Sequence, residues 1–411
     1  AAGTVLDLRV QAPTLQTRRH GEVPVLDAVA THDPDAGRLA VFVRQLYELL
    51  RARATFDRGT ARDQVLPAAA YHAPNSTLAE VSMGRMQQQE GEQNVAAASQ
   101  RAAFDRARAW TTTNCFSAEL FSADDVPERP TISVVIPAKQ VAGTIALVVD
   151  ECVALREAGA VDEVVVVDAG STDGTGRLAA AAGARVEDES DLMPGVGDVL
   201  GKGDAMWRSL SATTGEIVVF VDGDTEGFDR QFVVGLAGPL VADHRLQLVK
   251  GAFSRPYVSG SLRVEGGGGR VNELMARPLL NIFFPELAAV RQPLAGEFAA
   301  HRSALEALSF CTGYGTEIQL LVDTYLKFGL DAIAQCDLGE RINQHQSLAS
   351  LGPMAFAVAR ALLSRVERLD FELSPDGDEF LALAGSRHDL TTVPLVERPP
   401  VSSLVKVNDG A

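Results

Sequence analysis

Short apolar runs rich in β-branched residues alternate with longer helical segments from Thr131 onward, and glycine and proline fall at their junctions. The run Ile217–Val221 carries no charge and is β-branched or aromatic throughout, so it predicts a strand buried on both faces. This alternation predicts an α/β domain over residues 128–373, with a doubly wound, largely parallel sheet of the nucleotide-binding kind.

The pattern places the individual elements of this domain as follows. Besides residues 217–221, strands are predicted at Val134–Pro137, Glu163–Asp168, Ala184–Glu187 and Leu246–Phe253. Helices are predicted at Asp150–Ala158, Thr175–Ala182, Asp204–Thr213, Val271–Phe284 and Glu317–Phe328. A glycine-rich loop at 195–203 precedes the third helix.

The two ends of the chain differ from this domain. Short β-type runs at Val5–Val10, Val23–Ala30 and Arg38–Val43 precede a basic helical stretch, Val43–Arg53, and a polar region that continues to about Asn114. We interpret residues 1–127 as an appendage, partly disordered, whose fold the pattern does not define. Residues 374–411 are rich in Pro, Asp, Ser and Gly, so we expect little fixed structure there.

Composition and charge limit the partners and the cellular location that this chain can have. The 411 residues include 54 acidic against 37 basic side chains, which disfavours nucleic acid as a partner. No apolar stretch approaches the roughly 20 residues that cross a bilayer, and the chain begins without a signal-peptide pattern. The four cysteines are scattered without metal-ligand spacing, which predicts free buried thiols. We therefore expect a cytoplasmic protein without a membrane span.

Two aspartates follow the apolar run directly, as Asp222-Gly-Asp224. Ligands of open α/β sheets bind beyond the carboxyl ends of the strands. Side chains at i and i+2 of an extended chain point the same way, so both carboxylates can address one Mg²⁺ or Mn²⁺. Gly223 allows the turn between them. The alternative is a turn in which aspartate serves only its own hydrogen bonds.

Three further motifs accompany the aspartate pair. Asp168 ends the second strand and can accept from a ribose or a base, while Ser171 or Asp173 caps the next helix. Lys202 stands between two glycines before a helix and can reach a phosphate, or it is a solvated surface lysine. The run Gly266–Arg270 opens a predicted helix and suits an anion such as phosphate or carboxylate, or it is a flexible linker.

Taken together, residues 131–365 resemble the retaining glycosyltransferases that make glucosyl- or mannosyl-3-phosphoglycerate. The resemblance implies the glycosyltransferase A-type, Rossmann-like fold, with a mixed, mostly parallel sheet flanked by helices. It rests on Val135–Ala138, Asp168–Asp173, Gly201–Arg208, Val221–Asp224, Gly267–Leu274, Gln292–Glu297, Gly313–Glu317 and Asp337–Arg341.

The resemblance also implies roles for individual residues. The donor would lie over Pro137, Ala138, Asp168, Ser171, Lys202, Asp222, Gly223 and Asp224. The acceptor would contact Gly269, Arg270, Asn272, Tyr314 and Arg341. Catalytic roles would fall to Asp224, Lys202, Glu317 and Leu294, and the Mg²⁺ or Mn²⁺ ion to Asp222, Asp224 and His345.

The chain departs from the family pattern at two places. The family has histidine two residues after the arginine of Leu-Gly-x-Arg, where this chain has Asn343. Either His345 is the ligand on a shifted loop, or the metal lacks that contact. After the first strand the family carries an acidic pair, whereas this chain reads Lys139-Gln-Val-Ala142. That difference leaves the identity of the donor open.

The implied activity is transfer of mannose or glucose from GDP-mannose or UDP-glucose to the 2-hydroxyl of 3-phosphoglycerate, by a homodimer. The motifs at Asp222–Thr225, Phe283–Leu287 and Asp337–His345 look closer to the mannosyl branch. The alternatives are a related transferase with another acceptor, or an inactive or mis-assembled fusion. Residues 1–45 resemble the C-terminal β-domain of α-L-arabinofuranosidases, but that piece is too short for a glycosidase site.

Overall fold

The computed structural model divides the chain into two compact units, residues 1–86 and 87–411. It describes residues 4–6, 14–17, 21–24, 28–33, 38–43, 99–120, 129–259, 262–264, 268–341, 347–369, 379–384 and 387–392.

The first unit contains short antiparallel strands. They are β1 (Thr4–Leu6), β2 (Thr14–Thr17), β3 (Gly21–Pro24), β4 (Ala28–Asp33) and β5 (Arg38–Val43). Strands β1, β4 and β5 form one sheet and β2 pairs with β3. The fifth strand has the bounds that the pattern predicts and includes residue 43, the first of the predicted helical stretch 43–53. Residues 44–53 of that stretch lie outside the described residues.

An eight-stranded sheet dominates the second unit. Its strands are β6 (Cys115–Ser117), β7 (Ile132–Ala138), β8 (Glu163–Asp168), β9 (Arg185–Asp188), β10 (Ile217–Phe220), β11 (Leu248–Ser254), β14 (Phe298–His301) and β15 (Ile333–Glu340). The order is β6-β15-β11-β14-β10-β7-β8-β9. Strand β14 runs antiparallel to both of its neighbours and the other pairs are parallel. The predicted mixed, mostly parallel sheet is therefore confirmed.

Helices cover both faces of this sheet. They are α1 (residues 99–113), α2 (Ile145–Glu157), α3 (Thr175–Ala181), α4 (Lys202–Ala212), α5 (Gln231–Ala242), α6 (Arg277–Phe283), α7 (Arg302–Glu306), α8 (Thr316–Phe328) and α9 (Leu348–Val366). Alternate strand residues divide between two cores, because successive side chains point to opposite faces. Val219 packs with α2 and α5, whereas Phe220 packs with α1, α4 and α8.

Shorter elements complete the second unit. Single turns of 3-10 helix lie at Ala118–Leu120, Glu189–Asp191, Pro194–Val196, Pro285–Ala289 and Leu330–Ala332, and a π turn, Asn272–Ala276, leads into α6. Two antiparallel hairpins are formed by β12 (Tyr257–Ser259) with β13 (Leu262–Val264), and by β16 (Glu379–Ala384) with β17 (Arg387–Thr392).

Both predicted domain boundaries differ from the structure. Helix α1 and strand β6 precede residue 128 yet belong to the second unit, where Trp110 donates to the carbonyl of Ile333 at 2.8 Å. The tail carries the β16–β17 hairpin, and the N–H of the buried Leu381 donates to Asn281 at 2.7 Å. In both segments, buried apolar side chains contribute to the second core, which the polar surroundings in the sequence obscure.

The helices and the cysteines bear on two other expectations. None of the helices among the described residues is long and apolar enough to cross a membrane. The four cysteines are unpaired, with Cys152 and Cys336 buried as expected and Cys115 exposed.

Candidate active site

A cavity of about 740 Å³ opens at the carboxyl ends of β7, β8 and β10, within the size range of small-molecule sites. It brings together most of the residues singled out above. The lining includes Pro137, Ala138, Lys202, Asp222, Gly223, Asp224, Gly269, Arg270, Asn272, Leu294, Tyr314, Glu317 and Arg341. Asp168 and Ser171 are not among the lining residues of the described structure, and His345 lies outside the described residues.

Asp222 binds two cationic side chains at the tip of β10. Its Oδ1 lies 2.7 Å from Nζ of Lys202, and its Oδ2 lies 2.9 Å from Nη2 of Arg341. Lys202 also contacts Glu317, with 2.8 Å between Nζ and Oε1. An ammonium has three N–H donors, so one donor of Lys202 remains for a ligand in the cavity.

Arg341 connects this cluster to a buried carboxylate. Its Nη1 lies 2.5 Å from Glu297, which is 0% exposed and also accepts from the hydroxyl of Thr225 at 3.3 Å. Nη2 lies 3.4 Å from Asp224. Because an unpaired charge is costly in the interior, Glu297 and Arg341 depend on each other.

The pKa values of Lys202 and Asp222 shift in opposite directions, and each shift favours the charged form of the side chain. Burial disfavours the charged form of Lys202, but Asp222 and Glu317 outweigh burial and raise the pKa of this lysine. Burial likewise opposes ionisation of Asp222, yet Lys202 and Arg341 lower its pKa. The pKa of Asp224 is raised because the walls of the cavity limit its hydration, although 62% of its side chain is exposed to the cavity, and because Asp222 beside it is negatively charged. Lys202 is therefore a cation and Asp222 an anion, while Asp224 is the carboxylate that a further cation would stabilise.

Gly296, immediately before Glu297, makes the close packing of the cluster possible. A Cβ at this position would lie 2.3 Å from Oδ1 of Asp222 and 2.5 Å from Nζ of Lys202. Any side chain here would separate that ion pair, so the site requires glycine for close approach.

The loop Lys139–Ala142 borders the cavity at the end of β7. Gln140 has φ of 56°, its N–H donates to Oγ of Ser171 at 2.9 Å, and its Oε1 accepts from the N–H of Thr172 at 3.0 Å. Oδ1 of Asp168 accepts from the N–H of Ser171 at 3.0 Å. Ser171 thus joins the two loops, while Asp168 fixes Ser171 within its own loop. The contact of Asp168 and Ser171 with a donor stays a prediction.

Basic and polar groups lie at the opposite end of the cavity. Gly269 has φ of 67° and its carbonyl accepts from Glu273 at 3.0 Å, which starts the helical turn. Arg270 and Arg255 both line this end. The buried Oδ1 of Asn272 has no hydrogen-bond partner among the described residues. These groups suit a small anion that also carries a hydroxyl.

Arg255 was missed by the sequence interpretation. It directly follows β11, so the rule that placed Asp222 at a strand tip also applies to Arg255. A Cβ on Gly268 would lie 2.7 Å from the carbonyl of Arg255, so the glycine run packs against this arginine.

The two aspartates differ in how accessible they are to a divalent metal ion. Asp222 is engaged by Lys202 and Arg341, whereas the side chain of Asp224 is 62% exposed and faces the cavity. No cluster of three His, Cys, Asp or Glu side chains suited to a metal occurs in the described ranges. One or two carboxylates with diphosphate oxygens suffice for Mg²⁺, so the residues present fit the ion, with Asp224 as the accessible ligand.

Comparisons with known proteins agree with this architecture. The family described as glycosyl transferase family 2 matches residues 133–233. The glucosyl-3-phosphoglycerate synthase of Mycolicibacterium smegmatis is 42% identical over 303 residues, which cover 72% of this chain and 98% of that relative. The chain belongs to the glucosyl- and mannosyl-3-phosphoglycerate synthase family of glycosyltransferases. A second member of the family, from Mycobacterium tuberculosis H37Rv, is 45% identical over 66% of this chain and 85% of its own length.

Solved structures of the family share the fold. Mannosyl-3-phosphoglycerate synthase from Rubrobacter xylanophilus superposes with a TM-score of 0.59 at 40% identity, over 72% of this chain and 98% of its own. The Mycobacterium tuberculosis glucosyl-3-phosphoglycerate synthase in complex with Mn²⁺, UDP and glucosyl-3-phosphoglycerate gives a TM-score of 0.54 at 40% identity, over 73% of this chain and 95% of its own. The predicted A-type fold is confirmed.

Proposed function

We propose that this enzyme transfers a hexose, mannose or glucose, from a nucleoside-diphosphate sugar to the 2-hydroxyl of 3-phosphoglycerate. The observation that carries the proposal is the position of Lys202. Its ammonium is fixed by Asp222 and Glu317 beside the exposed carboxylate of Asp224, in the same cavity as the Gly269–Arg270 anion site. Family membership supports the same reaction.

The proposed chemistry depends on the atoms at which negative charge develops during transfer. As the bond between the anomeric carbon and the diphosphate breaks, the electron pair leaves with the phosphate oxygen. Lys202 would donate to that oxygen and stabilise its charge. Asp224, with Asp222 beside it, would hold Mg²⁺ or Mn²⁺, which supplies further positive charge to the diphosphate.

The acceptor end would orient the second substrate. Arg255 and Arg270 would bind the phosphate and carboxylate of 3-phosphoglycerate, and Asn272 would accept a hydrogen bond through its unpartnered Oδ1. Leu294 and Tyr314 also line the cavity. This arrangement would bring the 2-hydroxyl to the anomeric carbon. The new C–O bond forms there, and the hydroxyl proton passes to the departing phosphate, with retention of configuration.

Direct assay of transfer tests the proposal. The purified chain is incubated with 3-phosphoglycerate and Mg²⁺, with GDP-mannose and UDP-glucose offered in parallel, and the hexosyl phosphoglycerate is detected by mass spectrometry. Transfer should disappear in Asp224→Ala and persist in Asp150→Ala, a control at an exposed position of α2. No product from either donor with a folded wild-type protein would contradict the proposal and favour another acceptor or an inactive chain. We also propose a homodimer, which sedimentation would test.

A further inference from the structure

Glu189 is a buried carboxylate that the proposed reaction does not use. It follows β9 at the edge of the large sheet, and it lines the cavity that contains Asp222. Glu189 is 1% exposed. Its buried Oε1 has no hydrogen-bond partner among the described residues. A buried carboxylate oxygen without a hydrogen-bond donor lowers the stability of the protein. A ligand N–H that reached Oε1 of Glu189 would remove that cost.

The sheet order places Glu189 at a defined distance from the aspartate pair. Strands β7 and β8 lie between β10, which carries Asp222, and β9. Neighbouring strands are about 4.8 Å apart, so three spacings separate Glu189 from Asp222 by roughly 14 Å. With the diphosphate at Asp224 and the acceptor at the Gly269–Arg270 end, as the proposed function has them, the base of the donor would lie at this end of the cavity. Glu189 is therefore positioned to meet the base.

Arg208, a buried cation near Glu189, is held by other groups. Arg208 is fixed by Asp204 at 2.9 Å and by the carbonyls of Leu192 at 2.6 Å and Gly197 at 2.8 Å. Burial and the charge of Asp204 raise the pKa of Glu189, and Arg208 and Lys139 oppose them. Lys139 lines the same end of the cavity. The carboxylate thus has charged neighbours without a direct hydrogen bond from them.

We propose that Glu189 binds the Watson–Crick edge of the donor's base and selects guanine, which makes the donor a GDP-linked sugar. This inference rests on the proposed function and extends it to the choice of donor. Guanine presents two adjacent donors, N1–H and the 2-amino group, which match the two oxygens of a carboxylate. Its neighbouring carbonyl can accept from Lys139.

The other common bases match this carboxylate less well. Uracil has a single N3–H between two carbonyl oxygens, and these would face the carboxylate with like charge. Adenine offers an amino group beside the N1 acceptor, so one carboxylate oxygen would again meet an acceptor. A bidentate match discriminates between bases by about tenfold to hundredfold in affinity.

Nucleotide binding measured without acceptor tests the inference. GDP, UDP and ADP are titrated calorimetrically into the chain with Mg²⁺. We expect GDP to bind about tenfold to hundredfold more tightly than UDP or ADP. Glu189→Gln should weaken GDP binding by about tenfold, because the amide replaces one acceptor oxygen with a donor. The affinity for UDP should change by less than about twofold. The matched control Glu187→Gln, two residues away and paired with Arg185, should bind GDP like the wild type.

Three outcomes would overturn the inference. These are UDP binding as tightly as GDP, equal loss of GDP and UDP affinity in Glu189→Gln, and loss of GDP affinity in the control. If Glu189→Gln fails to fold, the relative affinities of the wild type for GDP, UDP and ADP still test the inference. Selective GDP binding without transfer to 3-phosphoglycerate would contradict only the proposed function. Transfer from UDP-glucose with no preference for GDP would contradict only the role of Glu189.

Discussion

Nη2 of Arg341 lies 2.9 Å from Oδ2 of Asp222, although 119 positions separate the two residues in the chain. The contact joins the end of β15 to the tip of β10 across the sheet. It brings a cation that is 3% exposed against the carboxylate that also binds Lys202. The proposed diphosphate site therefore depends on the last strand of the large sheet as much as on the Asp-Gly-Asp motif.

Gly296→Ala should abolish transfer while the fold persists. The added Cβ would lie within 2.6 Å of both Asp222 oxygens, so the Asp222–Lys202 pair must separate. We expect kcat to fall by at least about a hundredfold, the cost of losing one well-placed donor. Gly352→Ala in α9, with open space around its Cβ, is the control. Circular dichroism and transfer rates check both variants, and a Gly296→Ala enzyme with normal kcat would contradict the close packing.

Glu317→Gln should lower kcat through its effect on Lys202. The substitution removes one of the two carboxylates that fix the ammonium, so the lysine is held less firmly beside the leaving oxygen. We expect kcat to fall about tenfold to hundredfold, with the KM for 3-phosphoglycerate nearly unchanged. Glu306→Gln, an exposed partner of Arg302 at 3.6 Å, should leave both constants unchanged. A rise in KM alone would assign Glu317 to acceptor binding instead.

Asp224→Asn should abolish activity without lowering stability. The folded-state pKa of Asp224 is raised by burial and by Asp222, so at neutral pH its ionised form is less favourable in the folded than in the unfolded protein. Removing the charge should leave the urea midpoint equal or higher, as stability and function often oppose each other at active sites. Mn²⁺ binding in the presence of nucleotide should be lost. A variant that unfolds at lower urea would show that Asp224 stabilises the fold.

Arg341→Met should destabilise the protein, because it leaves the buried Glu297 without its cation. Breaking one partner of a buried pair costs about 3–5 kcal/mol. Adding Glu297→Gln should recover part of that loss, while activity should stay low since Asp222 still lacks its second cation. Urea unfolding of both single variants and the double variant measures the coupling. Additive losses would show that the two residues act independently.

Burial of Lys250 should make the stability of the protein depend on pH in the alkaline range. It is buried and donates to the carbonyl of Ala295 at 2.6 Å, and burial lowers its pKa from 10.5 to about 8. Between these values the unfolded chain binds the proton and the folded chain does not, so the free energy of unfolding rises with pH. The wild type should gain about 2–3 kcal/mol relative to Lys250→Met between pH 8 and 10. A constant difference between the two proteins would place the pKa of Lys250 outside this range.

Local motifs were sufficient to predict part of the site. Asp222 and Asp224 follow from the rule that ligands bind at strand tips, and Lys202 follows from its position between two glycines at the start of a helix. The run Ile217–Phe220 is buried on both faces, as its composition predicts. Gly296 and Glu297 were recognised only as members of a family motif. Their roles depend on contacts with Asp222 and Arg341, residues distant in the chain, and no short pattern encodes those contacts.

Strand β14, which runs antiparallel to its neighbours, is the main element of the sheet that the sequence pattern did not predict. Phe298–His301 is four residues long and includes two alanines, which have low β propensity. Its pairing with β10 and β11 supplies the hydrogen bonds that local composition does not predict. The π turn Asn272–Ala276 was likewise included in one continuous predicted helix, because the apolar pattern does not distinguish the two kinds of turn.

Strand β14 also constrains how the enzyme can form during synthesis. It lies between β10 and β11, so β10 has no partner on that side until the ribosome has added residue 301. Until then a nascent chain that has completed the Asp-Gly-Asp motif would expose an entirely apolar strand edge, which is prone to pair with other chains. Truncations that end between residues 233 and 298 should therefore aggregate, even though they contain the whole segment matched by glycosyl transferase family 2.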